Sequence, residues 1–308
     1  MALPVHPRPG SPTGRADEDF ARQVRQQLFR LVLDNGNTST IAAFVLAVAV
    51  VVLLREVLSR PVFVWWLVVT TLLFVGRLIV SKGIQCVIAA LPSILEQVPN
   101  ARLLVVGHGP MREPIEAMLW ALELGKRELL GKIIAWGRYL EGAREPEPLG
   151  HVRAYLDMLE RDGKLERYFQ VARETRVSER VIFTGYLTHR ELRYLFPCCD
   201  VALFPSIVAE AGPLVFLEAM ASGVFPLGIY FAGMAASIDS TRTAVPGEVA
   251  DLMKLRQAEE HTVADIVSGT LGALKLGRAH AADLRRVAVE RFDWRAVGKK
   301  LIDTLDPR

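Results

Sequence analysis

Two glutamates that stand eight positions apart, Glu210 and Glu218, are the residues of this chain best placed to do chemistry. Gly212-Pro213 and an apolar run lie between them, and this order predicts a loop that turns into a helix, with Glu218 about two turns inside it. A helix start offers free N–H groups and a positive dipole end, which suit phosphate. Carboxylates accept hydrogen bonds from hydroxyl groups. A ligand with a diphosphate and many hydroxyls, such as a nucleotide sugar, meets both requirements.

The segment from Phe204 to Gly223 resembles the Glu-x7-Glu motif of retaining glycosyltransferases with the GT-B fold, the glycogen-synthase and sucrose-synthase-like group of family 4 type. Pro205-Ser206 before the glutamates and the run from Glu218 to Gly223 after them carry the resemblance. It implies that Glu210 contacts the donor sugar and Glu218 the ribose. It also implies that the donor is lined by Ser206, Gly212, Leu214 and Val215.

A second segment, from Leu72 to Gly83, resembles the first strand and loop of the donor-binding half of that fold. The resemblance implies that Arg77 and Lys82 hold the donor diphosphate. Two cations beside a short loop would neutralise the pyrophosphate as it leaves, which agrees with this role. The alternative is that both side chains extend towards water at the edge of a membrane segment.

From Gly76 onward, apolar runs alternate with helical patterns, which is typical of an α/β protein with a doubly wound, Rossmann-like parallel sheet. The resemblance implies the C-terminal half of a GT-B fold over residues 72–308. A largely helical insertion is expected near residues 119–178, with His151 on its surface. Asp293 is expected to cap the last helix. The predicted strands cover residues 101–106, 180–188, 199–205 and 225–228.

Two glycine turns follow predicted strands, and ligands in such sheets bind at the carboxyl ends of the strands. Gly107 and Gly109 match the Gly-x-Gly turn that the family has after its second strand. A tight strand-to-helix turn explains these glycines equally well. The loop at Gly185, Tyr186 and Leu187 lies beside the nucleotide base in the family, so these residues are candidates for base contacts.

The composition of the 308-residue chain excludes some classes of function. Its net charge of +3 is too small to argue for nucleic acid, and we find no motif for binding it. The three cysteines show no metal-ligand spacing and no disulfide framework, so we expect buried free thiols and no metal site. The mean hydropathy of +0.25 is high for a soluble protein.

Most of that hydropathy lies near the N-terminus. Residues 1–16 are expected to be disordered, and residues 17–71 to form an amphipathic helix followed by one or two membrane helices. Two runs without a charged residue cover residues 35–54 and 62–76, and residues 41–54 are wholly apolar. The second run overlaps the strand predicted near Leu72, so the number of crossings stays open. A buried helix pair in a soluble protein is the alternative.

We expect a glycosyltransferase-type domain that binds a UDP-, ADP- or GDP-sugar and transfers the sugar with retention, with no cofactor required. The acceptor would be a glycan, a sugar phosphate or a lipid. The resemblance supplies no acceptor domain, so a second protein could provide it, and a membrane-anchored half that binds without turnover is an alternative. A remnant of a membrane signalling protein is a third. The expected location is the inner or plasma membrane, with the donor domain in the cytoplasm.

Overall fold

The computed structural model describes residues 70–212 and 214–305. Residues 69–308 belong to one compact unit built on a six-stranded sheet in the order β3-β2-β1-β4-β5-β6, and every strand pair in it is parallel. The strands are β1 Thr71–Val75, β2 Arg102–Val106, β3 Val181–Gly185, β4 Val201–Phe204, β5 Phe225–Ile229 and β6 Lys254–Leu255. This is the strand order of the doubly wound dinucleotide-binding fold, so the predicted α/β sheet is confirmed.

Helices connect the strands and cover the sheet. They are α1 Ile84–Gln97, α2 Arg112–Glu123, α3 Arg127–Trp136, α4 Gly150–Arg161, α5 Leu165–Glu174, α6 His189–Leu195, α7 Leu214–Ala221, α8 Ala232–Asp239, α9 Gly247–Leu252, α10 Glu259–Leu276, α11 Ala281–Phe292 and α12 Trp294–Leu305. Short 3-10 helices lie at Val80–Lys82, Arg138–Glu141, Val177–Arg180, Phe196–Cys198 and Gly277–His280.

The central strands read as apolar runs because helices bury them on both faces. All four residues of β4 are buried, and so are the three middle residues of β1. Helix α1 is also buried around almost its whole circumference, from Ile84 to Leu95 with the exception of Ser93. The sequence predicted an amphipathic helix there, and the helices α5 and α10 that pack on α1 explain the difference.

The chain between β2 and β3 is largely helical, in the region where the sequence predicted a helical insertion. Helices α3, α4 and α5 form it, with a break after the 3-10 helix at Glu141. The Tyr168 hydroxyl donates to the Ala89 carbonyl in α1 (2.8 Å), which fastens the insertion to the core. His151 is half-buried and its Nε2 lies 3.2 Å from the Gln257 carbonyl oxygen, so its prediction as a surface residue is wrong.

The last helix begins as predicted. Asp293 Oδ1 accepts a hydrogen bond from the Arg295 N–H at the start of α12 (2.8 Å), which satisfies one of the free donors of the first turn.

The predicted membrane segments at 35–54 and most of 62–76 lie outside the described residues. Within residues 70–212 and 214–305, the structure contains no helix long and apolar enough to cross a bilayer.

The three thiols are free, but only two of them are buried. Cys198 is exposed in a 3-10 helix, which corrects the expectation that all three are buried. Burial raises the pKa of Cys86 to about 12, with the nearby Glu259 carboxylate adding to it. Burial also raises the pKa of Cys199 to about 12, with smaller contributions from Cys198 and Asp200.

A raised thiol pKa keeps the sulfur protonated, and the protonated form is unreactive. We therefore expect Ellman's reagent at pH 8 to react rapidly with one thiol of the folded chain and with all three after unfolding. The variant Cys198→Ser should lose the rapid phase and keep the other two thiols. Rapid reaction of a second thiol in the folded wild type would contradict the burial of Cys86 and Cys199.

Candidate functional site

The centre of the sheet offers a crevice between β1 and β4. The chain runs outward from this point in both directions, since β1 is followed by β2 on one side and β4 by β5 on the other. Ligands of open α/β sheets bind where the strand order reverses in this way. Two loops begin at this crevice. The β1 loop (residues 76–83) follows β1, and the β4 loop (residues 205–212) follows β4. They are joined directly, because the Ile207 N–H donates to the Ser81 carbonyl (2.9 Å).

The two loops bring a cation and a carboxylate together. Lys82 Nζ donates to Glu210 Oε1 at 2.6 Å, and the Ser206 hydroxyl hydrogen-bonds the same oxygen. The side chains of Lys82 and Glu210 are 32% and 21% exposed, so a ligand in the crevice can reach them. The sequence predicted all three residues as site residues, and the structure places them in contact.

Backbone contacts fix the position of Glu210. Its carbonyl accepts a hydrogen bond from the Gly233 N–H in the first turn of α8 (2.9 Å). In the same loop, the Ile207 carbonyl accepts a hydrogen bond from Nε2 of Gln257, a residue that follows β6 (3.3 Å). Segments that follow β1, β5 and β6 therefore contact the β4 loop, which holds the backbone that carries Glu210.

Glu218 lies on α7, and one of its carboxylate oxygens has no hydrogen-bond partner in the described part of the chain. It is the fifth residue of Leu214–Ala221, so it stands little more than one turn inside the helix and not two as predicted. Oε1 lies 2.8 Å from Nδ1 of His189. Oε2 is buried and has no hydrogen-bond partner among the described residues. A buried acceptor left unpaired is costly, so a ligand hydroxyl at this oxygen would be stabilising.

His189 is a site neighbour that the sequence did not reveal. It begins α6, whose N-terminus is capped by the reciprocal hydrogen bonds of Thr188 and Glu191. That capping pattern predicts a helix start and says nothing about a contact with α7. The contact is a tertiary one, and no spacing in the sequence encodes it.

The remaining predicted residues surround the same edge of the sheet. Arg77 is exposed in the β1 loop. Gly107 has φ +135° and donates its N–H to the Gly185 carbonyl (2.8 Å). A Cβ at Gly107 would lie 1.9 Å from the Gly76 carbonyl oxygen, so this turn has room only for glycine. Gly109 lies against the Leu78 carbonyl in the same turn.

The loop after β3 and the start of α7 each combine exposed residues with one that packs against the core. Tyr186 is 69% exposed and meets His108 edge to face at 5.9 Å, while Leu187 packs against the core. An exposed aromatic ring is available for stacking on a base. Leu214 and Gly212 are exposed, whereas Val215 packs against the core. Within the described residues, no group of three or more His, Cys, Asp or Glu side chains could hold a metal ion.

The insertion reaches into the β1 loop. Oε2 of Glu141 accepts a hydrogen bond from the Val80 N–H at 2.7 Å, and its Oε1 accepts from Arg138 Nε at 3.1 Å. The side chain of Glu141 is only 10% exposed. The insertion therefore supports the loop that carries Lys82, although the sequence suggested no chemistry in it.

The family model described as glycosyl transferases group 1 matches residues 69–132 and 160–250, which together make up half of the chain. The chain belongs to this family. The match to glycosyl transferases group 1 thus covers strands β1 to β5, both loops of the crevice and α7. The part of the insertion at residues 133–159 lies between the two matched segments.

Curated relatives agree with the family. An uncharacterized glycosyltransferase of Methanocaldococcus jannaschii is 28% identical over 49% of this chain and 25% of its own length. The glycogen synthase of Mycobacterium tuberculosis is 26% identical over 73% and 40%, respectively. The 2-deoxystreptamine glucosyltransferase of Streptomyces kanamyceticus is 24% identical over 68% and 40%. The chain therefore spans a quarter to two-fifths of the length of these relatives.

Solved structures of glycosyltransferases are also similar to this chain. The Anabaena protein HepE in complex with UDP-glucose has a TM-score of 0.46 and 16% identity, covering 76% of this chain and 48% of that one. Sucrose-phosphate synthase from Thermosynechococcus elongatus has a TM-score of 0.44 and 19% identity, covering 77% of this chain and 44% of that one.

Proposed function

We propose that this chain binds a nucleoside-diphosphate sugar and serves as the donor-binding part of a retaining glycosyltransferase. Membership of the glycosyl transferases group 1 family supports this, together with one observation in the crevice. A lysine and two glutamates stand at the strand-order reversal, and one buried carboxylate oxygen of Glu218 has no partner among the described residues. A ribose hydroxyl donated to that oxygen would satisfy it.

The proposed roles follow from charge. Arg77 and Lys82 would pair with the donor diphosphate, Glu210 would orient hydroxyls of the sugar, and Glu218 would hold the ribose. In the transfer, the bond between the anomeric carbon and the diphosphate oxygen breaks while an acceptor hydroxyl oxygen bonds to the same face of that carbon. The acceptor proton goes to the departing diphosphate. The two cations would stabilise the negative charge that develops on the leaving group.

Calorimetric titration with UDP-, ADP- and GDP-glucose tests the donor site. We expect one of the three to bind, and Glu218→Ala to weaken that binding by about tenfold, since a hydrogen bond to a charged group is lost. Glu290→Ala, at an exposed glutamate of α11, is the matched control and should leave the affinity unchanged. The absence of binding, or equal affinity in Glu218→Ala, would reject the site.

Donor hydrolysis measured in the same samples separates a transferase from a protein that binds without turnover. The second outcome remains a candidate because the chain spans at most two-fifths of the length of its curated relatives. Turnover that appears only with a second protein would indicate that the acceptor domain is supplied in trans.

We also propose that the uncharged N-terminal segment at 35–54 associates with a membrane, with the donor domain on the cytoplasmic side. The proposal depends on the length of uncharged sequence from Asn35 to Leu54, which suffices to span a bilayer. Carbonate extraction of membranes from expressing cells tests it. Release of the full chain into the soluble fraction would reject a spanning helix.

A further inference from the structure

The short 3-10 helix that carries Lys82 takes one of its first hydrogen bonds from a distant part of the chain. This helix, Val80–Lys82, lies in the β1 loop, and the first N–H groups of a helix have no acceptor within the helix. The residue before it, Ile79, has an apolar side chain that cannot accept a hydrogen bond. The Val80 N–H donates instead to Oε2 of Glu141 at 2.7 Å, across 61 residues of sequence. The insertion therefore supplies the cap that the loop lacks.

Burial makes this cap hard to replace. Val80 is 4% exposed, so without Glu141 its N–H would have little access to water. A buried N–H left unpaired is costly and rare in native structures. The Val80 carbonyl is bonded as well, because it accepts from the Gly83 N–H and from Gln85 Nε2, each at 2.9 Å. Both backbone groups of Val80 are thus fixed, and the insertion fixes one of them.

Glu141 is itself held in a defined direction by Arg138. Arg138 Nε donates to Oε1 of Glu141 at 3.1 Å, and Arg138 Nη1 donates to Oε2 of Glu147 at 3.0 Å. The backbone joins the same residues, since the Arg138 N–H donates to the Glu147 carbonyl at 2.9 Å. Because its side chain is mostly buried, the Glu141 carboxylate has little freedom to leave Val80. Support of this kind keeps a binding group within the narrow range of positions that binding needs.

The hydrogen bonds of the turn carry the position of Val80 to Lys82. The Lys82 N–H donates to the Ile79 carbonyl (3.0 Å), and the next N–H donates to the Val80 carbonyl. These two bonds close the turn, so a displacement of residues 79 and 80 also displaces the backbone of Lys82. At the end of its side chain, Nζ is the donor proposed to meet the diphosphate. A charge-assisted hydrogen bond is strong only within a narrow range of distance and angle.

The cap lies outside the part of the chain that the family model matches. Arg138, Glu141 and Glu147 all fall in residues 133–159, whereas the turn Val80–Lys82 falls inside the first matched segment. The family pattern therefore covers the turn but not the carboxylate that caps it.

We propose that Glu141 is a positioning residue for diphosphate binding, which fixes the turn that carries Lys82 without touching the ligand. The inference rests on the proposed donor site and adds a residue to it. A purely structural cap would affect only the stability of the fold. A positioning residue that acts through Lys82 also changes the affinity for the diphosphate, and does so only while Lys82 is present.

Calorimetric titration of the full chain with UDP, ADP and GDP tests this role. For the nucleotide that binds, we expect Glu141→Ala to weaken binding about fivefold, since the hydrogen bond that holds the turn is lost. Glu141→Gln keeps an oxygen for the Val80 N–H and should retain the affinity of the wild type within about twofold. In the Lys82→Met background, Glu141→Ala should cause no further loss, because the group that it positions is gone.

Glu123→Ala is the matched control. Oε2 of Glu123 accepts from the Ser178 N–H (3.0 Å) in another 3-10 helix, Val177–Arg180. That helix precedes β3 and so lies at the edge of the sheet opposite the crevice. Glu123→Ala should lower the unfolding temperature, as Glu141→Ala does, and leave the nucleotide affinity unchanged.

Wild-type affinity in Glu141→Ala would overturn the inference, and so would an equal loss in the presence and absence of Lys82. If Glu141→Ala does not fold, Glu141→Asp replaces it, since it keeps the charge and is one methylene too short to reach Val80. Unchanged affinity in that variant would have the same meaning. A wild type that binds none of the three nucleotides rejects the donor site and this role with it. Wild-type binding that Glu141→Ala does not alter rejects the role of Glu141 alone.

Discussion

Replacing Gly83 by alanine is expected to destabilise the α/β domain by about 3 kcal/mol. Gly83 has φ +76° and ends the β1 loop directly before α1. A Cβ there would lie 2.0 Å from the Pro205 carbonyl oxygen, which belongs to the β4 loop. The left-handed backbone costs an alanine roughly 1–2 kcal/mol, and forcing two packed backbones apart adds a similar amount. Thermal unfolding should show a loss of roughly 8 °C for a domain of this size.

Gly131→Ala is the control for this experiment. Gly131 lies inside α3, and a Cβ there would meet no atom within 4 Å. Alanine is the better helix former, so this variant should gain about 0.5–1 kcal/mol. If Gly83→Ala unfolds at the same temperature as the wild type, the close approach of the β1 and β4 loops at Pro205 does not exist in solution.

The positions of the loops could be predicted from the sequence because strand ends leave a clear local signal. The run Leu72–Val75 and the run Val201–Phe204 are wholly apolar, and turn-forming residues follow each of them. Parallel strands that alternate with helices place such turns at one edge of the sheet. The contact between Lys82 and Glu210, 128 residues apart, also requires that β1 and β4 are neighbours in the sheet, which this rule alone does not give.

Other contacts could not be predicted because they depend on tertiary packing. His189 meets Glu218 only because tertiary folding brings the start of α6 to the side chain of a residue on α7. The exposure of Cys198 beside the buried Cys199 depends on a three-residue helix that the composition does not reveal. The sequence predicted Glu218 about two turns inside α7. It lies little more than one turn inside, because the helix begins only at Leu214.

Lys82 and Glu210 are expected to affect nucleotide binding in opposite directions. In the free chain Glu210 holds the lysine at 2.6 Å, and a diphosphate must take the ammonium away from this carboxylate. Lys82→Met should weaken the binding of UDP by about a hundredfold, because it removes a charge-assisted hydrogen bond to the diphosphate. Glu210→Gln keeps the shape, frees the lysine and removes a negative charge, so UDP should bind about tenfold more tightly.

For the sugar, we expect Glu210→Gln to have the opposite effect to the one it has on UDP affinity. A carboxylate accepts hydrogen bonds from sugar hydroxyls more strongly than an amide does. The gain in affinity on going from UDP to UDP-glucose should therefore shrink in Glu210→Gln and persist in Lys82→Met. Lys132→Met is the matched control, since it breaks an exposed ion pair of similar length (2.7 Å, to Glu128) on α3, away from the crevice. Calorimetry on the four proteins measures these differences. If Glu210→Gln lost UDP affinity as Lys82→Met does, the carboxylate would be holding the lysine in its binding position rather than competing for it.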